Sequence, residues 1–426
     1  MFKLRLAAYL EVFLGFLLSK IAYLPISPRW LQERLVFEEE HSSHQASESF
    51  NQKSLKADAC FQFSSEGEFE QIAVLVDDLI QKGKKVELIY TSKSVLNSMQ
   101  NLYRQYPQSV RMIPYCFLKQ VDFKKWMSAK KVYLVRYDFF PRFVVHFQHC
   151  THRVLISASF KKQRLLKKRI PFWNRLVLPF FDQIVFATPD DLLFYKKEID
   201  TGQDLRVGDF RTLQIIKRLS KKEQTLCQAL PFYKSYCRWV NGSNLTLVIG
   251  SAWQEDLNQL KDQLIQFLKC NGRVVIIPHQ LDEMKIKAMQ AVFSKENIPC
   301  EVLDAKSSWN ELGANIVILK VKGILCELYA DFKFALVGGG WSSVHSVMEP
   351  FMAGCCVFCG PRVERSSETE FLLSYDQNSV NILEQKHEFL EKIFSQPARK
   401  DITLETLSEI ESHGLELKKV ILCEKN

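Results

Sequence analysis

Short apolar runs alternate with longer helical patterns along this chain, and the whole alternation occurs twice. KVELIY (85–90), KVYLVRY (131–137), RVLISAS (153–159) and QIVFAT (183–188) read as strands. Polar, helical-looking sequence covers 212–234. LTLVIGS (245–251), RVVIIPH (273–279), IVILK (316–320), FALVGGG (334–340) and CVFCG (356–360) then restart the series. Strands separated by helix-length stretches form parallel sheets with crossover helices. The order therefore predicts an α/β chain of two doubly wound, Rossmann-like domains facing a central cleft. The first is expected over 57–235 and the second over 243–400, followed by a helical segment over 401–426. A length of 426 residues suits two such cores. No repeat or low-complexity tract is present, which excludes solenoids and disordered scaffolds. In doubly wound sheets ligands bind beyond the carboxyl ends of the strands.

The N-terminus is apolar from Leu6 to Leu24, interrupted by Glu11 and Lys20. A spanning helix needs about 20 apolar residues with few charges, and no small-residue cleavage site follows that would mark a secretory signal. Residues 1–35 read as an apolar helix that dips into or anchors at a membrane, flanked by Lys3 and Arg5 and by Arg29 and Arg34. The alternative is a buried amphipathic helix. Residues 36–56, with EEEHSSHQASES at their centre, read as a linker.

The net charge of +9 is carried partly in runs: Lys82, Lys84 and Lys85; Lys124 and Lys125; Lys161, Lys162, Arg164, Lys167, Lys168 and Arg169. Solvated surface accounts for most such runs. The last also holds Leu165 and Leu166, a mixture that suits anionic headgroups better than a duplex, so no nucleic-acid partner is expected. Twelve cysteines without a secreted disulfide framework indicate a reducing compartment. Cys356 and Cys359 form a CxxC, but it lies in CCVFC, which reads as a buried strand with no second ligand pair nearby.

Three strings carry candidate chemistry. Ser64-Ser65-Glu66-Gly67-Glu68 follows the apolar CFQF as strand, turn and helix start. Ser65 and Glu68 have capping-box spacing; alternatively, Glu68 is a general base beside a cleft. Gly338-Gly339-Gly340-Trp341-Ser342-Ser343-Val344-His345-Ser346-Val347-Met348-Glu349-Pro350 ends a strand in three glycines, which admit a ligand close to the backbone. A helix is expected to start near His345 or Ser346, with unpaired N–H groups that can receive a phosphate and Pro350 in its first turn. Glu349 would accept from ribose hydroxyls, unless Ser346 and Glu349 form a second capping box. Gly250-Ser251-Ala252-Trp253 ends another strand. There Ser251 either caps the next helix or bonds a donor phosphate or carboxylate. Pro278-His279 ends the following strand, toward the same cleft edge.

These strings, in this order, resemble the bacterial 3-deoxy-D-manno-octulosonic acid (Kdo) transferases over nearly the whole chain. Ser65-Glu66-Gly67-Glu68 resembles the family's helix-opening Ser-x-Gly-Glu, and Asp138-Phe139-Phe140-Pro141 its Glu-Leu-Trp-Pro-like segment. Ser157-Ala158-Ser159 with the basic run resembles its Asn-Ala-Arg stretch. Gly208-Asp209-Phe210-Arg211 resembles its Gly-Asn-x-Lys, and Gly250-Ser251-Ala252-Trp253 its Gly-Ser-Thr-Trp. The glycine triplet, His345, Glu349-Pro350 and Gly360-Pro361 are similar to its signature, and Arg29-Trp30-Leu31-Gln32-Glu33-Arg34-Leu35 to its anchor.

The resemblance implies the GT-B glycosyltransferase architecture and inverting transfer of Kdo from CMP-Kdo to a lipid A precursor, a step of lipopolysaccharide biosynthesis at the cytoplasmic face of the inner membrane. Glu68 would deprotonate the acceptor hydroxyl. Ser251, Pro278, His279, Gly338, Gly339, Gly340, Ser343, His345, Ser346 and Glu349 would bind the donor. Ser65, Gly67, Asp138, Arg164 and Lys168 would bind the acceptor, and domain closure would exclude water. No cofactor or metal is expected: Asp77-Asp78 falls in a predicted helix and Asp190-Asp191 follows Pro189, neither with a partner motif. Departures from the family pattern are Arg136 for an acidic residue, Asp209 for Asn, a shorter loop between Gly340 and His345, Ser346 for Asn, and Arg365-Ser366 for Asn-Phe. They leave two alternatives: another sugar-nucleotide-dependent GT-B transferase, or a non-catalytic, membrane-bound nucleotide-sugar-binding relative.

Overall fold

The computed structural model describes residues 2–24, 26–41, 56–119, 126–136, 138–199, 202–308, 314–341, 344–395 and 400–423. Among them, all strand pairs are parallel. The first sheet holds β1 (Ala59–Phe63), β2 (Val86–Tyr90), β3 (Val110–Pro114), β4 (Lys131–Val135), β5 (His152–Ala158), β6 (Gln183–Phe186) and β7 (Asp204–Val207), in the order β3-β2-β1-β4-β5-β6-β7. The second holds β8 (Thr246–Ala252), β9 (Arg273–Pro278), β10 (Cys300–Asp304), β11 (Ile316–Lys320), β12 (Phe334–Val337), β13 (Cys356–Cys359) and β14 (Val380–Ile382), in the order β10-β11-β9-β8-β12-β13-β14. Helices cover both faces, so the central strands are almost wholly buried and read as largely apolar runs, broken by the buried Gln62 on β1 and Glu87 on β2. In each sheet the chain winds outward, then returns beside its starting strand, which places a switch point between β1 and β4 and another between β8 and β12.

The chain divides into two units, Met1–Arg211 with Gly414–Asn426, and Thr212–His413. The boundary thus falls before 212 rather than after 235. Ile215, Leu226, Leu230, Phe232 and Tyr233 pack into the core of the second sheet, and that burial assigns their helices to the second unit. At the other end of the chain, Gly414 onward belongs to the first unit. Lys418 pairs with Asp78 at 2.8 Å, and the Tyr133 hydroxyl donates to the Ile421 carbonyl at 3.3 Å.

The expected N-terminal helix is two helices, α1 (Phe2–Ala22) and α2 (Arg29–His41). Among the described residues no helix is long and apolar enough to cross a membrane. Glu11, which breaks the apolar run, is buried. Its carboxylate accepts from the Tyr115 hydroxyl, the Arg142 amide at 2.9 Å and the Arg142 Nε at 3.2 Å. The interrupting charge is therefore the dock that holds α1 to the first unit. The opposite side of α1 exposes Phe2, Leu6, Tyr9, Leu10, Phe13, Leu14 and Leu17. Residues 36–41, read as linker, continue α2. The buried Glu38 carboxylate there accepts the amides of Phe117, Leu118 and Lys119, each at 2.8 Å. Arg34, expected to flank the membrane segment, instead donates to Glu38 and to the carbonyls of Thr91 and Tyr115. The rest of the expected linker, 42–55, lies outside the described residues. Cys356 and Cys359 are both buried on β13, and burial pushes the Cys359 thiol up to about 12.

Candidate active site

In the first unit the β1–β4 switch point gathers Ser64, Ser65, Glu68, Arg136 and Asp138. Ser65 is the N-cap of the short helix Glu66–Glu70, yet its side chain makes no capping bond. The Glu68 carboxylate turns back to the residue before the N-cap, where Oε2 accepts the Ser64 amide at 2.6 Å. The Ser64 hydroxyl bridges to Asp138 Oδ2, tying the end of β1 to the end of β4. Glu68 is buried, and desolvation holds its carboxyl above the ordinary range. The Ser64 amide and the Arg136 charge oppose that shift, and Asp138 adds to it. A carboxylate stripped of water is a stronger base than one in solvent, and the backbone amide offsets that only in part. Gly67 has open space where a side chain would stand.

Arg136 follows β4 with φ +64° and donates its amide to Ile156 at 2.8 Å. A left-handed backbone at a non-glycine residue is uncommon and clusters at functional sites. Its guanidinium makes no hydrogen bond or ion pair among the described residues, and its charge reaches both Glu68 and Asp209. Asp209 is itself held by Arg211, with Nε at 2.9 Å from Oδ1, which keeps its carboxyl low against the penalty of burial.

Arg164 and Lys168 stand on the segment that follows β5. Arg164 pairs with Asp191 at 3.0 Å and Asp190 at 3.2 Å, and so completes an internal network. Lys168 is exposed with Lys167 and Arg169 on the segment that also exposes Leu165, Leu166 and Phe172. Lys3 of α1 lies over the Phe172 ring, 5.4 Å from its centroid, which joins this segment to the start of α1.

In the second unit the β8–β12 switch point brings together Ser251, Trp253, His279, the glycine triplet and His345. Gly338 lies so close to β8 that a Cβ would stand 2.2 Å from the Ser251 carbonyl, and one on Gly340 would stand 2.2 Å from the Gly360 amide. These two glycines thus serve backbone packing inside the protein, a need separate from ligand approach. The Gly339 amide donates to the buried Asp256 carboxylate, 3.0 Å from Oδ2. Asp256 also takes the Trp253 amide at 2.8 Å, so one carboxylate fixes both loops of the switch point. Ser251 does not cap the following helix Gln254–Lys269, whose N-cap is Trp253; it sits at φ +51° beside a register shift in β8.

The expected helix start at His345 or Ser346 is displaced. The helix runs Met348–Met352, and Glu368 already accepts from the Ser346 hydroxyl at 2.8 Å and the Met348 amide at 3.3 Å. A five-residue helix whose first amide already faces a carboxylate is no phosphate cradle. The second capping box is also absent, since Glu349 faces Arg218 at 3.4 Å and Arg218 pairs with Glu327 at 2.8 Å. Pro278 is buried at the end of β9, and His279 beyond it is exposed. His345, His279 and Trp253 form a stacked group: ring centroids are 4.4 Å apart for His279–His345 and 4.5 Å for Trp253–His279. In sequence Trp253 is visible only as part of its motif, because its partner His345 stands 92 residues away. Ser343 lies outside the described residues.

No family model and no curated protein matches the chain. Among solved structures, the UDP-GlcNAc 2-epimerase of Neisseria meningitidis bound to UDP-GlcNAc aligns over 86% of this chain and 100% of its own, at 11% identity and a TM-score of 0.57. A glycosyltransferase from Rickettsia africae ESF-5 aligns over 87% and 100%, at 10% identity and a TM-score of 0.51. The C-terminal CMP-Kdo binding domain of WaaA from Acinetobacter baumannii aligns over 47% of this chain and 98% of its own, at 14% identity; its TM-score of 0.35 carries no argument. Such likenesses, joined to the two parallel seven-stranded sheets, show that the chain has the two-domain GT-B fold.

Proposed function

We propose that the chain is a sugar-nucleotide-dependent glycosyltransferase and, more finely, that it transfers Kdo from CMP-Kdo to a lipid A precursor. The observation that carries the catalytic part is Glu68: a buried carboxylate of raised basicity, held by the Ser64 amide at a sheet switch point. In this reading Glu68 takes the acceptor hydroxyl proton as the hydroxyl oxygen attacks the anomeric carbon and CMP departs with inversion. Ser65, Gly67 and Asp138 line the acceptor side. His345, Ser251 and Glu349, with the ends of β8, β9 and β12, meet the nucleotide. The Kdo identity rests on the motif resemblance from Ser65-Glu66-Gly67-Glu68 to Gly360-Pro361.

A lipid acceptor agrees with the exposed apolar side of α1 and with the basic, apolar segment joined to it through Lys3 and Phe172. An amphipathic surface of that kind rests in the interface of an anionic membrane, which we assign to the cytoplasmic face of the inner membrane.

A second reading, transfer from a UDP-sugar, draws on the likeness to a protein solved with UDP-GlcNAc. Calorimetric titration of the full chain with CMP and with UDP separates the two. The proposal expects CMP to bind and UDP to bind at least about tenfold more weakly. The reverse order moves the donor to a UDP-sugar. CMP binding with no turnover of CMP-Kdo on any acceptor leaves a binding protein.

A further inference from the structure

Trp253 and His345 meet in a geometry that fixes more than packing. The Trp253 Nε1 lies 3.1 Å from His345 Nε2. The two rings are 8° from parallel with centroids 6.4 Å apart, the separation expected when they lie edge to edge in one plane rather than stacked. An imidazole nitrogen lone pair lies in the ring plane, so this is the arrangement an indole N–H needs to reach it. An indole nitrogen can only donate, so the histidine nitrogen facing it must be bare.

We infer that Trp253 is a positioning residue that keeps the His345 proton on Nδ1, so that the neutral imidazole offers an N–H to an anionic group, phosphate or carboxylate, of the sugar nucleotide. This rests on the reading of the β8–β12 switch point as the donor site. A free imidazole side chain prefers its proton on Nε2; here the indole reverses the preference. Among the described residues His345 Nδ1 has no hydrogen-bond partner, which leaves that N–H for a ligand. The His279 ring lies over both members of the pair, tilted 24° to Trp253 and 20° to His345. Trp253 is held in turn by its own amide on Asp256 at 2.8 Å.

The surroundings agree. Burial lowers the His345 pKa, His279 lowers it further, and Glu368 opposes them. Lys285, 6.0 Å from the Trp253 ring centroid, adds a positive charge that lowers the pKa of His279 after burial has done so. Both shifts favour the neutral imidazole, the form in which a tautomer exists to be selected.

The test is nitrogen-detected NMR of the ligand-free full chain labelled with 15N at histidine, His345 being assigned by its loss in His345→Ala. Wild type should show the Nδ1–H tautomer at neutral pH. Trp253→Phe, which keeps a ring and removes the N–H, should return His345 toward Nε2–H, raise its pKa, and weaken CMP binding about tenfold. His279→Ala should leave the tautomer in place. A wild-type Nε2–H signal, or an unchanged tautomer in Trp253→Phe, overturns the inference without use of any ligand. The expected tautomer with neither CMP nor inorganic phosphate bound overturns the donor reading instead, and the proposed ligand with it.

Discussion

Glu68 shows how far single residues can be read. Its place after a strand and a serine pair marks it from sequence as either cap or base; in the structure the carboxylate returns to the Ser64 amide, and the Ser65 side chain makes no capping bond. Glu68→Gln should lower turnover about a hundredfold or more while leaving CMP affinity unchanged. Because the folded pKa is raised, the folded protein binds the proton more tightly than the unfolded chain, so Glu68 contributes less stability as pH climbs through that range. The variant should therefore melt no lower than wild type at neutral pH, and a large fall in Tm would return Glu68 to a structural role. Arg136 tests the same site from the other side. Its charge lowers the Glu68 pKa, so Arg136→Gln should move the acid limb of the kcat/KM profile to higher pH; an unmoved limb separates the two groups. The basic run that holds Arg164 is visible in sequence, whereas the pairing of Arg164 with Asp190 and Asp191 arises only when the ends of neighbouring strands converge.

At the scale of elements, the strands read from sequence are the central ones. Those left unread are β3, β7, β10 and β14, the four edges of the two sheets. An edge has one neighbour and needs no continuous apolar run. β7 is only partly buried, β10 buries only Cys300 and Leu303, β14 spans three residues, and β3 carries the buried Arg111 that pairs with Glu87. The N-terminal helix was legible as apolar, but its register was not, because Glu11 reads as an interruption until Arg142 is seen beside it. Glu11→Ala removes the carboxylate that pairs with the buried Arg142 and should cost about 3–5 kcal/mol, read as a lower denaturation midpoint. Replacing exposed Tyr9, Phe13 and Leu17 together by serine should leave that midpoint in place and release the protein from anionic lipid vesicles in a sedimentation assay. Unchanged sedimentation would place the membrane contact elsewhere.

For the whole molecule, the repeated alternation was enough to foresee two doubly wound units. It did not show which side of the boundary the connecting helices join, since that depends on which core buries Leu226 and Tyr233. The substrate lies a step further from the fold, and here the motif resemblance supplies the proposal. A donor with one phosphate presents less charge than a diphosphate. Turnover should therefore survive EDTA and fall more strongly in His345→Ala; loss in EDTA with recovery in magnesium would favour a diphosphate donor. The most direct test of the central claim is the mass of the lipid product after incubating the purified full chain with CMP-Kdo and a lipid A precursor. The lipid should gain the mass of one or more Kdo residues, and should gain none with Glu68→Gln. An unchanged lipid mass, with a gain appearing only when a UDP-sugar is supplied, would contradict it.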